Sequence, residues 1–331
     1  MKIGIISTGS ITEAFLAALS QVEQATCTAI YSRKETNARL FTQQYNIAHL
    51  YTNLEDMLSS DDVDCVYIAS PNSLHFEYAK RALQHGKHVI CEKPFTSNAH
   101  ELQQLIQLAK GQHLFLFEAI TNIHLPNYRW LKEQIHRLGQ LRIVQCNYSQ
   151  YSRQYDRLLA GETPNVFNPH FSGGALMDIN VYNLHFIMNL FGRPQQLSYT
   201  ANKHDNGIDT SGVLVMQYDG FIATAVGSKD TTGMNFVLIQ GEKGFIHVEN
   251  GANGCRSIHL HIGDTTEQYN AHTTDNTLYY ELVDFVNMYR DGDYDECYQL
   301  LHYSYEVMQT LDRARYDAGI VFTADAMSSQ H

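Results

Sequence analysis

The chain has 331 residues, 44% of them hydrophobic and 18% charged, a globular composition long enough for two domain cores. Its net charge of −12 disfavours nucleic acid and anionic membrane surfaces as partners. No apolar stretch reaches the length of a membrane span, and the N-terminal apolar run is too short for a secretion signal. The six cysteines are scattered with no C-x-x-C motif, so we expect reduced thiols and a cytoplasmic setting.

The first 119 residues alternate between short apolar strands and helices. Near-continuous apolar strands separated by helices of about 10–15 residues predict a parallel sheet covered on both faces, the doubly wound α/β arrangement. The predicted strands are Lys2–Ile6, Cys27–Tyr31, His49–Tyr51, Val63–Ala69, His88–Cys91 and Leu114–Phe117. The predicted helices are Ile11–Ser20, Glu35–Tyr45, Leu54–Leu58, Ser73–His85 and Asn98–Lys110.

After residue 119 the periodicity changes, which predicts a second domain of a different class. A helix at Asn127–Leu138 is followed by strands rich in Val, Ile, Thr and aromatic residues. Asp219-Gly220 lies between two such segments and is a two-residue hairpin signature, so this half of the chain is α+β. We expect domains at 1–119 and 120–331. The final helix, near Glu296–Tyr316, is a candidate to fold back onto the first domain.

The first predicted strand leads into a turn, Ser7 to Thr12, that opens the first helix. A dinucleotide-binding turn has the pattern G-x-G-x-x-G at this place, and only the middle glycine, Gly9, is present. That is the position at which the backbone comes closest to a pyrophosphate. The candidate cofactor contacts in this turn are Ser7, Thr8, Gly9, Ser10 and Ile11.

Two further strand ends supply candidate cofactor contacts. The second strand is followed by Ser32 and Arg33, where an NAD-preferring site usually carries an acid. A guanidinium suits a phosphate, so the sequence predicts NADP in preference to NAD; a solvated basic helix start is the alternative. The fourth strand ends at a turn that we expect to lie under the nicotinamide ribose and diphosphate. Its candidate contacts are Ser70, Pro71, Asn72 and His75.

Glu92-Lys93-Pro94 follows the fifth strand, at the edge of the sheet where ligands bind. Proline fixes its own φ and lacks a backbone donor, so Lys93 is kept out of the helix that follows. A solvated lysine in a strand-end turn is the alternative. Glu92 and Lys93 are candidate cofactor contacts, and Lys93 is also a candidate substrate contact. The choice between a ligand contact and a solvated lysine depends on the rest of the chain.

The segment Gly173–Phe191 contains a loop and a helix that ends at Gly192. On that helix Asp178, Tyr182 and His185 lie at i, i+4 and i+7 and therefore share one face. Such a stripe is unusual for a purely structural face. The alternative is a half-buried tyrosine and a buried structural histidine, and for His185 we favour that alternative.

Taken in order, these motifs resemble the glucose–fructose oxidoreductase / inositol dehydrogenase / rhizopine-catabolism (Gfo/Idh/MocA) family over nearly the whole chain. Glu92-Lys93-Pro94 combined with Gly-Gly-x-x-x-Asp at residues 173–178 is specific, whereas either motif alone is not. The resemblance implies an N-terminal Rossmann domain and a C-terminal α+β domain with an open, mostly antiparallel sheet. It also implies NAD(P)-dependent chemistry on sugars, polyols or diols. Tyr182, where many relatives have histidine, resembles the glucose–fructose oxidoreductase and dimeric dihydrodiol dehydrogenase branches.

Four positions depart from the family pattern. Ser7 stands where the family usually has glycine, and Thr12 where it often has a small residue. Ile123 takes the place of a frequent arginine, and Asn180 the place of a common glycine. These changes concern cofactor affinity and substrate rather than fold. Ser7 and Thr12 favour an alternative function, a non-catalytic dinucleotide-binding sensor or regulatory protein, whereas the intact set of Lys93, Asp178 and Tyr182 favours an enzyme.

The resemblance implies Lys93, Tyr182 and Asp178 as the catalytic residues. Hydride transfer between nicotinamide and a carbinol carbon needs a group that moves the hydroxyl proton. In one hypothesis Tyr182 is that group and Lys93 promotes its ionisation. In the other, Lys93 is the base and Tyr182 orients the substrate. Asp178 would position substrate hydroxyls or the other two side chains.

Further expectations concern substrate, metal and assembly. Arg153, just after a predicted strand, and Asn168 are candidate substrate contacts, with an exposed loop as the alternative for both. His259 and His261 would share a strand face, but no third ligand has suitable spacing, and we expect no metal. An open sheet face needs covering, so we expect a homodimer or higher oligomer formed through it.

Overall fold

The computed structural model describes residues 1–328, so the last three residues of the predicted second domain lie outside the described part. The described chain divides into two compact units. The first unit combines Met1–Ala119 with Asn276–Tyr305, and the second combines Ile120–Asp275 with the residues from Glu306 onward. Each unit has its own sheet and its own buried core.

Six parallel strands form the sheet of the first unit: β1 (Lys2–Ile6), β2 (Thr26–Tyr31), β3 (His49–Tyr51), β4 (Cys65–Ile68), β5 (His88–Glu92) and β6 (Leu116–Ala119). Their order is β3-β2-β1-β4-β5-β6. All four residues of β4 are inaccessible, as expected of a strand covered on both faces. The strand order reverses between β1 and β4, and ligands bind at the carboxyl ends of strands beside such a point.

Five helices alternate with these strands: α1 (Ser10–Leu19), α2 (Glu35–Tyr45), α3 (Leu54–Leu58), α4 (His75–Gln84) and α5 (Ala99–Gly111). In α5 the Asn98 side chain caps the first turn by accepting from the Glu101 N–H at 3.0 Å. Leu102, Leu105 and Ala109 then form a buried stripe at helical spacing. The alternation confirms the predicted doubly wound α/β fold of this part of the chain.

Eight strands form the sheet of the second unit: β7 (Leu141–Ser149), β8 (Gln196–Lys203), β9 (Asp209–Tyr218), β10 (Phe221–Ser228), β11 (Phe236–Gly241), β12 (Gly244–Glu249), β13 (Ser257–Ile262) and β14 (Thr265–Tyr269). Their order is β14-β13-β12-β11-β7-β10-β9-β8, and only the pair of β7 and β10 is parallel. Tyr218 pairs with Phe221 across the hairpin predicted at Asp219-Gly220. The predicted α+β class with a mostly antiparallel sheet is confirmed.

One face of the second sheet is packed and the other is open. In β9, Leu214 and Met216 are inaccessible, whereas Val213 and Val215 are 39% and 41% exposed. This is the alternation of a half-buried strand. The exposed apolar side chains on the open face are Ile143, Val213, Val215, Ile222 and Phe245.

The remaining helices are α6 (Pro126–Gln134), α7 (Arg153–Leu159), α8 (Val181–Phe191), α9 (Gly251–Gly254), α10 (Leu278–Asp291), α11 (Tyr294–Asp317) and α12 (Thr323–Ser328). The helix predicted over Asn127–Leu138 is shorter than expected, because α6 gives way to a 3-10 turn at Ile135–Leu138. Arg153, a predicted substrate contact, is the first residue of α7, which is capped by the Ser152 side chain. No helix within residues 1–328 is long and apolar enough to cross a membrane.

Candidate active site

A pocket of about 330 Å³ lies at the carboxyl ends of β1, β2 and β4 in the first unit. Six of the predicted cofactor residues line it: Ser7, Thr8, Ser32, Arg33, Ser70 and Pro71. The other predicted cofactor residues lie at the start of α1 (Gly9, Ser10, Ile11), in the turn before α4 (Asn72), at the first residue of α4 (His75), and at the end of β5 (Glu92, Lys93). Three strand ends thus gather residues that the sequence assigned to one cofactor.

In the turn after β1, Ser7 occupies the first glycine position of the dinucleotide-binding pattern and has a backbone conformation typical of glycine. Ser7 has a φ of 152°, which residues other than glycine rarely adopt, and its Oγ accepts from the Gly9 N–H at 3.3 Å. Gly9 is the N-cap of α1, where the helix N–H groups suit an anion such as a pyrophosphate. Thr12, at the third glycine position, is fully buried, and its Oγ1 has no hydrogen-bond partner. The turn therefore carries one strained residue and one unsatisfied hydroxyl.

The end of β2 presents hydroxyl and cationic groups. Ser32 Oγ accepts from the Lys34 N–H at 3.2 Å, which orders the backbone there. Arg33 is exposed and lines the pocket together with Tyr31 and Tyr78, whose rings meet edge to face at 6.5 Å. A guanidinium beside aromatic rings suits a phosphorylated adenosine. The residues present at this wall of the pocket therefore fit the adenosine end of NADP.

His75 joins two of the predicted cofactor segments. It is 1% exposed, with Nδ1 2.9 Å from Pro94 O and Nε2 2.8 Å from Ser70 O. Burial lowers the pKa of His75, and the charge of Lys93 acts in the same direction, while the two carbonyl groups oppose them. A neutral imidazole carries a single N–H, so it can donate to only one of the two carbonyls at a time. His75 ties the turn after β4 to the turn that carries Lys93.

Glu92 anchors the strand end that carries Lys93. The Tyr67 hydroxyl donates to Glu92 Oε1 at 2.6 Å, and the Tyr67 ring stacks on Phe15 with the centroids 3.6 Å apart. Burial raises the pKa of Glu92, and this effect outweighs the Tyr67 hydrogen bond and the Lys93 charge, which lower it. The hydrogen bond and the ring stack fix the backbone immediately before Lys93.

In the second unit Asp178 lies in a π-helical turn, Leu176–Asn180, that leads into α8. Turns of this kind occur often at functional sites. Asp209 holds the turn, because its Oδ2 accepts from the Leu176 N–H at 2.7 Å. Gly174 has a φ of 105°, and a Cβ at that position would lie 2.0 Å from Asp209 Oδ1. The second glycine of the Gly-Gly motif is therefore needed for the close approach of the Asp209 carboxylate.

Lys229 forms an ion pair with Asp178, and sequence reasoning missed it. Lys229 Nζ donates to Asp178 Oδ2, and the two side chains are 11% and 29% exposed, respectively. Lys229 directly follows β10, so it occupies a strand end, as Lys93 does in the first unit. This position at the end of a strand was the only feature of the local sequence that pointed to Lys229 as a site residue. The pair joins residues 51 positions apart and depends on the fold.

Tyr182 lies on the first turn of α8, four residues beyond Asp178, and is half-buried. Its ring meets the ring of Tyr148 edge to face at 5.9 Å, and its carbonyl accepts from Asn122 Nδ2 at 2.8 Å. The structure therefore brings Tyr182 and Asp178 onto adjoining helical turns. His185 is fully buried on the same helix, as expected of a structural residue.

The structure places both predicted substrate contacts, Arg153 and Asn168, in the second unit. Arg153 is the first residue of α7 and is exposed. The Asn168 side chain accepts from the His170 N–H at 2.9 Å and so caps a short 3-10 turn.

Of the two histidines considered as metal ligands, His259 has its Nε2 3.1 Å from Glu249 Oε1. Within the part of the chain that the structure describes, no three His, Cys, Asp or Glu side chains come together as possible metal ligands.

Both halves of the chain match models of one family. Residues 1–119 match the Gfo/Idh/MocA model described as an oxidoreductase family with an NAD-binding Rossmann fold, and residues 128–247 match the Gfo/Idh/MocA C-terminal domain. The chain belongs to the Gfo/Idh/MocA oxidoreductase family. The predicted family, the oxidoreductase class and a nicotinamide dinucleotide cofactor are confirmed. The alternative of a non-catalytic sensor is not supported.

Similar proteins extend over most or all of the chain. The scyllo-inositol 2-dehydrogenase (NADP(+)) IolU of Bacillus subtilis is 35% identical over 325 residues, covering 98% of this chain and 99% of IolU. The trans-1,2-dihydrobenzene-1,2-diol dehydrogenase of Xenopus tropicalis is 28% identical over 254 residues, covering 75% of this chain and 74% of that enzyme. The crystal structure of KijD10, a 3-ketoreductase from Actinomadura kijaniata in complex with NADP and TDP-benzene, has a TM-score of 0.85 at 22% sequence identity. The match covers 96% of this chain and 97% of the KijD10 chain. The structural likeness concerns the fold.

Proposed function

We propose that this Gfo/Idh/MocA protein is an NADP-dependent dehydrogenase or reductase that acts on a CH–OH group of a polyol, sugar or diol. The observation that carries the cofactor preference is the pocket wall at Ser32 and Arg33, where an NAD site would carry an acid. The name of the Bacillus subtilis relative, an NADP(+)-dependent scyllo-inositol dehydrogenase, supports both the cofactor and the polyol class. The inositol-like polyols are the first substrates to test.

Each predicted cofactor contact of the first unit is assigned to one part of the dinucleotide. The turn at the N-terminus of α1 would hold the pyrophosphate, and Ser32 and Arg33 the 2′-phosphate. The segment from Ser70 to His75 would lie along the nicotinamide ribose. When bound, the nicotinamide supplies hydride acceptance or donation. The contacts assigned to the pyrophosphate are Ser7, Thr8, Gly9, Ser10 and Ile11, and those assigned to the nicotinamide half are Ser70, Pro71, Asn72, His75, Glu92 and Lys93.

Lys93, Tyr182 and Asp178 are the proposed catalytic residues. In the first version, Tyr182 Oη takes or gives the hydroxyl proton and the Lys93 ammonium favours the ionised phenol. In the second, Lys93 Nζ moves the proton and the Tyr182 hydroxyl orients the substrate. In both, the Asp178 carboxylate accepts hydrogen bonds from substrate hydroxyls. Arg153 and Asn168 remain proposed contacts for the outer part of the substrate.

The test is turnover of scyllo-inositol and related polyols with NADP and NAD, together with NADPH binding by fluorescence. We expect NADP-dependent oxidation by the natural chain. Lys93→Met and Tyr182→Phe should each abolish turnover while NADPH still binds, because neither change touches the pocket at Ser32 and Arg33. Normal turnover in both variants would overturn the catalytic assignment. Failure of the natural chain to bind either NADPH or NADH would overturn the function.

We also propose a homodimer through the open face of the second sheet, in a cytoplasmic setting. Five exposed apolar side chains on that face favour burial against a second copy. All six cysteines are free thiols, which suits a reducing compartment. Light scattering of the purified chain tests the assembly, and a monomer at micromolar concentration would contradict it.

A further inference from the structure

The buried lysine beside Asp178 has no part in the catalytic set proposed above. Lys229 is 8% exposed, and its Nζ donates to Asp178 Oδ2. A cation removed this far from water is costly unless it is paired, and removing one partner of such a pair leaves an uncompensated charge. A well-packed apolar pair would often be at least as stable, so stability alone does not explain the choice of residues.

The backbone around Lys229 is fixed on both sides. Its N–H donates to Thr210 O and its carbonyl accepts from the Ser152 N–H, both at 2.9 Å. The next residue, Asp230, accepts from the hydroxyls of Ser228 and Ser211, both at 2.8 Å. The lysine side chain therefore starts from a backbone that is held in place.

The strand that carries Lys229 lies close against the turn that carries Asp178. A Cβ at Gly227 would be 2.5 Å from Asn180 Cβ, so only glycine permits this approach. Asn180 Nδ2 donates to Ala225 O at 3.0 Å, which joins the π turn to β10 directly. Asn180, a departure from the family pattern, is thus part of the contact that brings Lys229 to Asp178.

We propose that Lys229 is a positioning residue that holds the Asp178 carboxylate in one orientation toward substrate hydroxyls. The inference rests on the proposed function for its kinetic consequence, since a polyol hydroxyl would be the donor to Asp178. Lys229 balances the charge of Asp178 within the same unit. The pair therefore favours a neutral polyhydroxy substrate that donates hydrogen bonds over one that brings its own anion.

The kinetic test uses the full chain with saturating NADP and scyllo-inositol as the probe. In Lys229→Met the KM should rise about tenfold or more, the effect of weakening a hydrogen bond to a charged group, with a smaller change in kcat and no change in NADPH affinity. Lys229→Arg retains the charge and should recover most of the lost kcat/KM. An unchanged KM in Lys229→Met would show that the proposal is wrong. The proposal is also wrong if kcat falls and KM rises to the same extent in this variant while its thermal stability is lost.

A double-mutant comparison covers the case in which Lys229→Met does not fold. Lys229→Met combined with Asp178→Asn leaves no unpaired charge, so the pair of neutral side chains is expected to fold. If Lys229 acts through Asp178, this double variant and Asp178→Asn alone will have the same KM. A further rise in KM in the double variant would show that Lys229 acts elsewhere.

A structural measurement separates this proposal from the proposed function. Crystal structures of the natural chain and of Lys229→Arg should show Asp178 in one orientation, while Lys229→Met should show it displaced or in several. An unmoved Asp178 in Lys229→Met would overturn the positioning role even if no polyol is turned over. Absence of turnover by the natural chain would instead contradict the proposed function alone.

Discussion

The cofactor preference can be tested by removing the guanidinium at the end of β2. Arg33 lines the pocket and is exposed, and Lys34 beside it would remain in the variant Arg33→Ala. A hydrogen bond to a charged group contributes about 1.5–3 kcal/mol, and solvent exposure favours the lower end of that range. A loss of about 1.4 kcal/mol corresponds to a tenfold change in a dissociation constant. We therefore expect the Kd for NADPH to rise about tenfold in Arg33→Ala, with little change for NADH.

The assay is fluorescence titration of NADPH and NADH at two salt concentrations. The difference between natural chain and variant should shrink at high salt, because an exposed charge contact is screened. Arg39→Ala is a matched control, since Arg39 is an exposed arginine of the same unit that pairs with Glu35 rather than lining the pocket. Equal affinity of the natural chain for NADPH and NADH, or an equal loss for both in Arg33→Ala, would refute the reasoning.

Three other predictions concern stability, pH and assembly. Thr12→Val removes a buried hydroxyl without a partner at constant shape, so the free energy of unfolding should rise by about 1 kcal/mol in urea titrations; a loss would contradict this. Burial raises the pKa of Glu92, so its ionisation destabilises the fold as pH rises through that raised value. Glu92→Gln should therefore be more stable than the natural chain at pH 8, and this advantage should disappear at a pH below the ordinary pKa of a glutamate carboxyl. Urea midpoints of variant and natural chain that differ by the same amount at both pH values would refute it. Val215→Glu on the open face should shift light scattering from dimer to monomer, with the helical content unchanged in circular dichroism, and an unchanged dimer would show that another surface is used.

The parts of the fold with local signals were predicted closely. The apolar runs of β4 and β5 needed no tertiary information, and neither did the Asp219-Gly220 turn, because each is specified by its own residues. β8 was missed, since within Gln196–Lys203 only Tyr199 is fully buried and the strand depends on its pairing with β9.

The candidate site was predictable only where its residues belong to motifs. Lys93, Asp178 and Tyr182 each stand in such a motif, whereas Lys229 and Asp209 are single charged residues in ordinary strand contexts. The role of Asp209 arises from the turn it holds, and its buried carboxylate also accepts from the Tyr199 hydroxyl at 2.7 Å. Such roles follow from long-range contacts that one sequence does not reveal.

The end of β10 serves two surfaces of the second unit. Side chains alternate along a strand, so Ser228 faces the same side as the exposed Ile222, while Lys229 turns toward Asp178. A second pocket of about 590 Å³ is lined by Ser228 and Asp230, the immediate neighbours of Lys229. A molecule that occupies that pocket contacts the two residues on either side of Lys229, the partner of Asp178. If a second copy is what covers the open face, subunit association and substrate affinity are linked, and a Michaelis constant of this protein has meaning only at a stated protein concentration.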